Sequence, residues 1–477
     1  MEESGSRNMS SNITKRMREW LSSVEAKGHL LSAFILVVSL LTAAMPAYAE
    51  ERAVTLDDAY RMALSNHELV KIAGEDLLQA RAGLSKATSQ LLPTVTADGN
   101  ITRFSEQQSS GGFLLQPDET RNFSLRVRQP LFEGGRRWRG RKQARLSLDG
   151  SRVGVKATRE EVMADTGRAF FNTLKAERDL EISEASMKRA LERRKVASSR
   201  LKVGEVTRSV LLRAEADVAG AEADLITAKN RLIDGKDLLK RLIGAKGEIA
   251  VVEPPLHSPS VESGEELIAK ALKGRRDYRQ AMIAEEISHE EVKSAWGSFL
   301  PTLTLEGLYT NREQEPSTTF LLNDSVSASL VLSYPLFEGG LRRAELREAK
   351  SLRRGAELRR MSLRKDIELE VRAALHAVES LNAVTESFAR QVAFSEENYE
   401  MVFKQFKYGL ATNVDVIDAD STLVAAQSGL MNARYDLQIA LLDLKFAVGT
   451  LLDEWEGKNY RDFAADPMSG GRQWPIK

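Results

Sequence analysis

The chain of 477 residues contains no cysteine. This excludes disulfides, thiolate metal sites and a lipid-modified cysteine. Histidine is scarce. His29, His67, His257, His289 and His376 show no HExxH or other paired ligand spacing, so no metal site or cofactor is expected. Neither sign of charge is in excess, with 68 basic against 68 acidic residues, and a nucleic-acid partner is not expected without a basic surplus. No nucleophile motif or phosphate loop is present, so no catalytic residue is assigned and the chain is not read as an enzyme. Aromatics are only 6% of residues. The length would allow about three ordinary domains. Ala, Leu, Glu, Lys and Arg instead dominate long tracts, which favours long helices over several compact cores.

Only one apolar run is long, LLSAFILVVSLLTAAM at 30–45, and it is short for a membrane span. Lys15, Arg16, Arg18 and Lys27 precede it, and Ala47 and Ala49 follow at small-residue positions. Residues 1–49 therefore read as a secretory signal peptide cleaved after about Ala49, a single anchoring helix being the other reading.

The remainder is written twice. QLLPTVTADG at 90–99 answers to SFLPTLTLEG at 298–307, and QPLFEGGRR at 129–137 to YPLFEGGLRR at 334–343. KVGEVTRSVLL at 202–212 answers to KYGLATNVDVI at 407–417, and LKRLIG at 239–244 to LKFAVG at 444–449. The first repeat is placed at 50–253 and the second at 264–452, with a Pro- and Ser-rich linker at 254–263 and a C-terminal tail at 453–477.

Each repeat opens with a helical stretch (56–90; 265–299) and continues into a hairpin of alternating strands, about 93–104 with 121–132 and 301–311 with 324–337. In the last of these, Val326, Ala328, Leu330, Leu332 and Tyr334 alternate mainly with serines, a period of two. Such strands have the length a membrane barrel needs. An isolated soluble hairpin would be only marginally stable, so the strands must join a larger sheet or a membrane. Polar loops at 105–120 and 311–323 join the partners.

Both hairpins end in Pro-Leu-Phe-Glu-Gly-Gly. Pro130 and Pro335 cannot donate to a ladder, and Gly134, Gly135, Gly339 and Gly340 permit a sharp change of direction. Helix-favouring tracts follow at 136–202 and 341–407, roughly 100 Å each at 1.5 Å per residue. Such helices must pack along other helices. On the returning stretch Val416, Leu423, Leu430, Leu437 and Leu444 alternate with Ala419, Ala426, Ala433, Ala440 and Ala447 as a and d positions of a heptad. The first repeat carries the same seam from Leu211 and Ala214 onward.

The doubled P-L-F-E-G-G junctions, the doubled glycine turns and NARYDLQIALLDLKFAVGTL at 432–451 resemble the TolC family of outer-membrane efflux and export channels over essentially the whole mature chain. The resemblance implies a mainly α protein with a membrane β-barrel. Three protomers would each give four strands to a 12-stranded barrel in outer-membrane lipid, with an α-barrel in the periplasm. It implies a passive exit duct for a tripartite efflux pump or type I secretion system, served by a periplasmic adaptor and an inner-membrane RND, ABC or MFS pump. A periplasmic coiled-coil scaffold without a pore is the alternative.

By the same resemblance the periplasmic tips, where the adaptor docks, are Val203, Gly204 and Thr207 (turn 203–208) and Tyr408, Gly409, Leu410, Ala411 and Thr412 (turn 408–413). Thr207 and Thr412 can cap the returning helices. Asp415 and Asp418 lie at neighbouring g and c positions on one helical face. From the residues alone they read equally as acids favoured at a helix start or as a carboxylate ring; the resemblance implies the ring, at the pore entrance. The arginine, aspartate and tyrosine that close the family's type member are replaced here by Ala411, Val210 and Phe406, so that lock is absent. Arg213, the repeat equivalent of Asp418, is expected to pair with Asp415 or Asp418 as a gate. The basic cluster from Arg136 to Lys142 can contact anionic headgroups, line the lumen or form a solvated face.

Overall fold

The structure is a computed structural model, and it describes residues 52–256, 262–318 and 322–458. The signal peptide with its cleavage point, half of the linker (257–261) and the tail beyond 458 lie outside the described residues. In chain order the elements are β1 (Arg52–Val54), α1 (Leu56–Asn66), α2 (Glu68–Ser89), β2 (Thr94–Arg103), β3 (Gln108–Ser110), β4 (Phe113–Gln116), β5 (Glu119–Glu133), α3 (Arg136–Lys202), α4 (Arg208–Ile243), β6 (Ile249–Val251), α5 (Gly264–Gly274), α6 (Arg276–Gly297), β7 (Thr302–Glu315), β8 (Asp324–Ser333), α7 (Leu341–Lys407), α8 (Asn413–Val448) and α9 (Leu451–Lys458). The chain forms two compact units. The smaller has 52–53 and 247–250 as its described residues. The larger, 54–246 with 251 onward, carries the sheet, the long helices and the sites below.

The sheet has the order β2-β5-β7-β8, antiparallel throughout, with two open edges. Its register sorts the side chains. Val95 pairs with Val127, Ala97 with Leu125 and Gly99 with Phe123. Leu125 continues to Tyr309 and Val127 to Gly307. Tyr309 continues to Val326, Leu305 to Leu330 and Leu303 to Leu332. Residues directly opposite in an antiparallel ladder point to the same side, so one face is apolar across all four strands. The other carries Thr96, Arg126, Arg128, Glu306, Ser327 and Ser329 among others. An Arg128–Glu306 ion pair at 3.3 Å lies on that polar face.

Three strand limits depart from expectation, the first being β7, which runs on to Glu315 rather than ending at about 311. β5 runs through Pro130 to Glu133, with a register irregularity between Pro130 and Phe132. The proline is tolerated because β2 stops pairing at Arg128, leaving β5 a single neighbour beyond that point. β8 ends at Ser333, before Pro335. The 105–120 loop is not wholly polar or irregular: it contains the β3–β4 ribbon, with Phe113 and Leu115 exposed.

The glycine pairs turn strand into helix. Gly134, Gly135, Gly339 and Gly340 all have positive φ, and Gly135 and Gly340 are the N-caps of α3 and α7. Gly134 is also sterically required, since a Cβ there would lie 2.0 Å from the carbonyl oxygen of Gly297. The basic cluster beside it is largely engaged within the chain. Arg137 pairs with Glu133 at 2.9 Å, and the Arg141 Nε donates to the Thr88 hydroxyl at 3.2 Å. Arg139 and Lys142 each reach the covered carboxylate of Glu290 at 2.9 Å, joined by Lys293 at 2.8 Å. Burial alone would raise the Glu290 pKa, but the three cations bring it to about 2.

Most of the heptad seam is buried: Val416, Ala419, Leu423, Ala426, Ala433, Leu437, Ala440 and Ala447 lie in the core, and Leu430 and Leu444 are half-buried. At the opposite end of the helices from the tips, α9 crosses the expected domain limit at 452. Leu452 and Trp455 join Tyr60 and Met163 in one cluster, with Trp455 edge-on to Tyr60.

Candidate channel entrance

Both long helices end in the same turn. The N–H of Glu205 donates to the Arg200 carbonyl at 2.9 Å and that of Gly204 to Leu201 at 3.0 Å. Leu410 and Gly409 repeat these bonds to Gln405 and Phe406. This 6→1 with 5→2 pairing needs a left-handed residue, supplied by Gly204 and Gly409 at φ 79° and 77°. Val203, Tyr408 and Leu410 project into solvent at the tips. Ala411 packs instead against the cluster of Tyr399, Phe406, Val416, Ala419 and Leu423.

The returning helices start differently. Thr412 caps α8 through a reciprocal box, its hydroxyl accepting from the Asp415 N–H while the Asp415 carboxylate accepts from Thr412 N–H at 2.8 Å. The Thr412 hydroxyl and N–H hold the Asp415 pKa below its ordinary value. Thr207 occupies the N-cap of α4, but its side chain makes no cap bond and lies 2.7 Å from the Ser209 hydroxyl. The third residue of α4 is Val210, so no carboxylate is available to close the box.

Asp415 and Asp418 are both exposed on one face of α8. Arg213 is also exposed, and within the chain it pairs with neither of them. A different ionic centre forms roughly two turns inside the tips. Arg193 of α3 is 1% exposed and joins two helices. Its Nη2 lies 2.6 Å from Asp217 Oδ2 on α4, and its Nη1 2.8 Å from Asp420 Oδ2 on α8. The second contact is close but off-axis, so it is an ion pair rather than a hydrogen bond. Arg189 reaches Asp420 from the next turn and lies over the Tyr399 ring at 5.6 Å. Burial would lower the Arg193 pKa, and Asp420 with Asp217 holds it above its ordinary value. Burial, then Asp420, pushes the Tyr399 hydroxyl up. Nearer the tip, Arg200 donates to the Phe406 carbonyl at 3.1 Å and stacks over its ring.

Sequence reasoning missed this centre. The available signal was the heptad phase: Asp420 follows the d residue Ala419 and Asp217 precedes the a residue Val218, both at the seam edge. The partner on α3 has no such mark.

A sheet with one apolar face, paired glycine junctions and helical hairpins ending in matched turns define a duplicated channel-type fold. The outer membrane efflux protein family model matches residues 59–245 and 267–450, and the chain belongs to that family. It is 27% identical over 422 residues to outer membrane protein TolC of Vibrio cholerae, covering 84% of this chain and 92% of that one. It is 26% identical over 426 residues to the alkaline protease secretion protein AprF of Pseudomonas aeruginosa, covering 84% and 85%. The solved CmeC outer membrane channel of Campylobacter jejuni shares the fold, with a TM-score of 0.74 at 19% identity over 86% of this chain and 89% of that one.

Proposed function

We propose that this outer-membrane protein is the passive exit duct of a tripartite efflux pump or type I secretion system. The observation that carries the reading is the continuous apolar face on a sheet with two open edges. A membrane sheet cannot leave backbone edges unpaired, and four strands are too few to close a barrel. Four strands from each of three copies would make a closed 12-stranded barrel in lipid. The mature chain begins after about Ala49. A pore-free periplasmic scaffold fits less well, because it leaves that apolar face in water.

In this reading the duct does no covalent chemistry. An inner-membrane RND, ABC or MFS pump supplies the energy, and a periplasmic adaptor docks at the tips around Gly204 and Gly409. Asp415 and Asp418 form two rings, six carboxylates in the trimer, that favour cations at the entrance. AprF is named for protease secretion and the family for efflux, and the duct reading covers both systems. The test is planar-bilayer conductance of the detergent-purified trimer beside Asp415→Ala/Asp418→Ala. Cation-preferring channels that the double variant weakens support the reading. A folded trimer that never conducts and fractionates with soluble periplasm overturns it.

A further inference from the structure

Residues 136–145 open α3 with six cations (Arg136, Arg137, Arg139, Arg141, Lys142 and Arg145) and no carboxylate. The positive end of the helix dipole lies there, so this is the end where cations are least favoured. The duplicated chain supplies a comparison. Arg136–Lys202 becomes Leu341–Lys407 in the second repeat, 205 residues later. Gly140 and Gln143 of α3 then correspond to Glu345 and Glu348 of α7. The fold accepts acids at this level, and α3 has none.

Part of this charge finds no counter-charge within the chain. Arg137 pairs with Glu133, and Arg139 and Lys142 share Glu290 with Lys293. Arg141 reaches only the Thr88 hydroxyl, and Arg145 is without an ion pair among the described residues. Trp138, Arg141, Lys142 and Arg145 recur at i, i+3, i+4 and i+7 and so share one face of α3. With Leu146 and Asp149 they line an open cavity of about 440 Å³. Asp149, the one acid there, is paired with Arg152 at 2.8 Å. Trp138 is 65% exposed. The place in the fold decides what this face meets. Phe132 pairs with Leu303 in the apolar face of the sheet, and Trp138 lies six residues beyond it. From Trp138 to Arg145 the helix runs on by about 10 Å at 1.5 Å per residue. Where an apolar sheet leaves the hydrocarbon it enters a headgroup layer about 5–7 Å deep. Tryptophan is enriched at that level, and long basic side chains reach back to it.

We infer that this face of α3 is a binding site for the phosphate of an anionic phospholipid in the periplasmic leaflet of the outer membrane. Arg141 and Arg145 donate to the phosphodiester oxygens, Lys142 adds charge, and the Trp138 ring lies against the glycerol and upper acyl chain. The inference rests on the exit-duct reading, which puts the sheet in lipid. A guanidinium with no carboxylate of its own can offer its forked donors to a phosphate without breaking an ion pair. The bound phosphate also supplies the negative charge that the start of α3 lacks. The second repeat carries no equivalent: Trp138 and Arg141 correspond to Arg343 and Leu346, so each chain holds one lipid this way.

The test uses the full-length protein, purified in detergent and stripped of lipid. It is titrated with dioctanoyl phosphatidylglycerol and with dioctanoyl phosphatidylcholine, with inorganic phosphate as competitor, and bound lipid is counted by native mass spectrometry. One phosphatidylglycerol per chain is expected, held about tenfold more tightly than phosphatidylcholine. Arg141→Gln/Arg145→Gln should weaken it roughly tenfold or more while the channel still conducts. Arg145→Gln alone, which has no ion pair to lose, should act in the same direction if the double variant fails to fold. Arg343→Gln/Arg347→Gln removes two exposed cations at the matching level of α7 and should change nothing. Equal retention of the two lipids, or undiminished binding in Arg141→Gln/Arg145→Gln, overturns the site. Phosphatidylglycerol displaced by inorganic phosphate at like concentration overturns the lipid as its source and makes it a site for free anions. A protein that stays in the aqueous phase and never conducts overturns instead the exit-duct reading beneath it.

Discussion

Arg193→Met is the most informative single change. The guanidinium is 1% exposed and faces Asp217 on α4 and Asp420 on α8. Methionine keeps much of the volume and removes the charge. Asp420, 4% exposed, then keeps only Arg189. Removing one member of a buried ion pair costs about 3–5 kcal/mol, because the remaining charge stays out of water. Every 1.4 kcal/mol is about tenfold in an equilibrium, so local opening of the tip helices should become roughly 100- to 4,000-fold more frequent. A chain with a separate sheet and long helical hairpins, in the membrane assembly proposed, does not melt in two states, so the readout must be local. Amide hydrogen exchange in peptides covering 185–202, 208–220 and 413–425 should accelerate by that order, while peptides around Trp455 stay unchanged. Arg194→Met, one residue along on an exposed position, is the control and should change nothing. Replacing Arg189, Arg193, Asp217 and Asp420 together by apolar residues should restore much of the protection, since no charge of the centre is then stranded. If Arg193→Met leaves exchange at the tips within about threefold of wild type, the ion pairs are not what holds the two hairpins together and the reasoning fails.

Four further outcomes are expected. Acid should loosen the start of α8: the Asp415 pKa is depressed in the folded chain, so its contribution is present above the ordinary carboxylate value of ~4 and is lost as pH falls through the folded one; protection at 413–418, taken as the intrinsic exchange rate at each pH divided by the observed rate, should fall below about pH 4 in wild type and hold constant there in Asp415→Asn. Glu290 follows the same sign, its contribution to fixing α6 against α3 being complete above ~4.3 and lost toward about 2, so Glu290→Gln should lower trimer melting at pH 7 and matter less as pH approaches 2. Leu330→Arg, on the apolar face near the middle of β8, should cost about 2–4 kcal/mol in folding into bilayers and Ser329→Arg on the polar face much less; equal losses would contradict the assignment of faces. Gly134→Ala places a Cβ 2.0 Å from the Gly297 oxygen at a φ of 62° and should cost about 3 kcal/mol or more, seen as a lower unfolding temperature of the purified protein.

Much of the architecture was legible because local rules carried it. The helix bounds at 136–202 and 341–407 follow from glycine pairs at one end and glycine turns at the other, both of which need positive φ. The sheet faces follow from period-two alternation, and the coiled-coil seam from small and large residues seven apart. Other features were not legible. Pro130 does not end β5, because whether a missing N–H matters depends on how far β2 extends beside it. Trp455 was placed in a tail, since nothing local shows that it meets Tyr60 almost 400 residues earlier. That Arg139 and Lys142 fasten onto Glu290 was not legible, because that carboxylate lies about 150 residues away.

The candidate site divides in the same way. The sequence by itself determined the tips and the cap, because Gly409, Thr412 and Asp415 act within a single turn of backbone. Only the tertiary structure decided which charges meet. Arg193 finds Asp217 by the return of its own hairpin and Asp420 by the packing of α3 on α8, while Arg213, one repeat from Asp418, meets neither expected partner within the chain. Capping is a matter of backbone geometry over a few residues. An ion pair between helices more than 200 residues apart depends on which faces pack, and no local pattern specifies that.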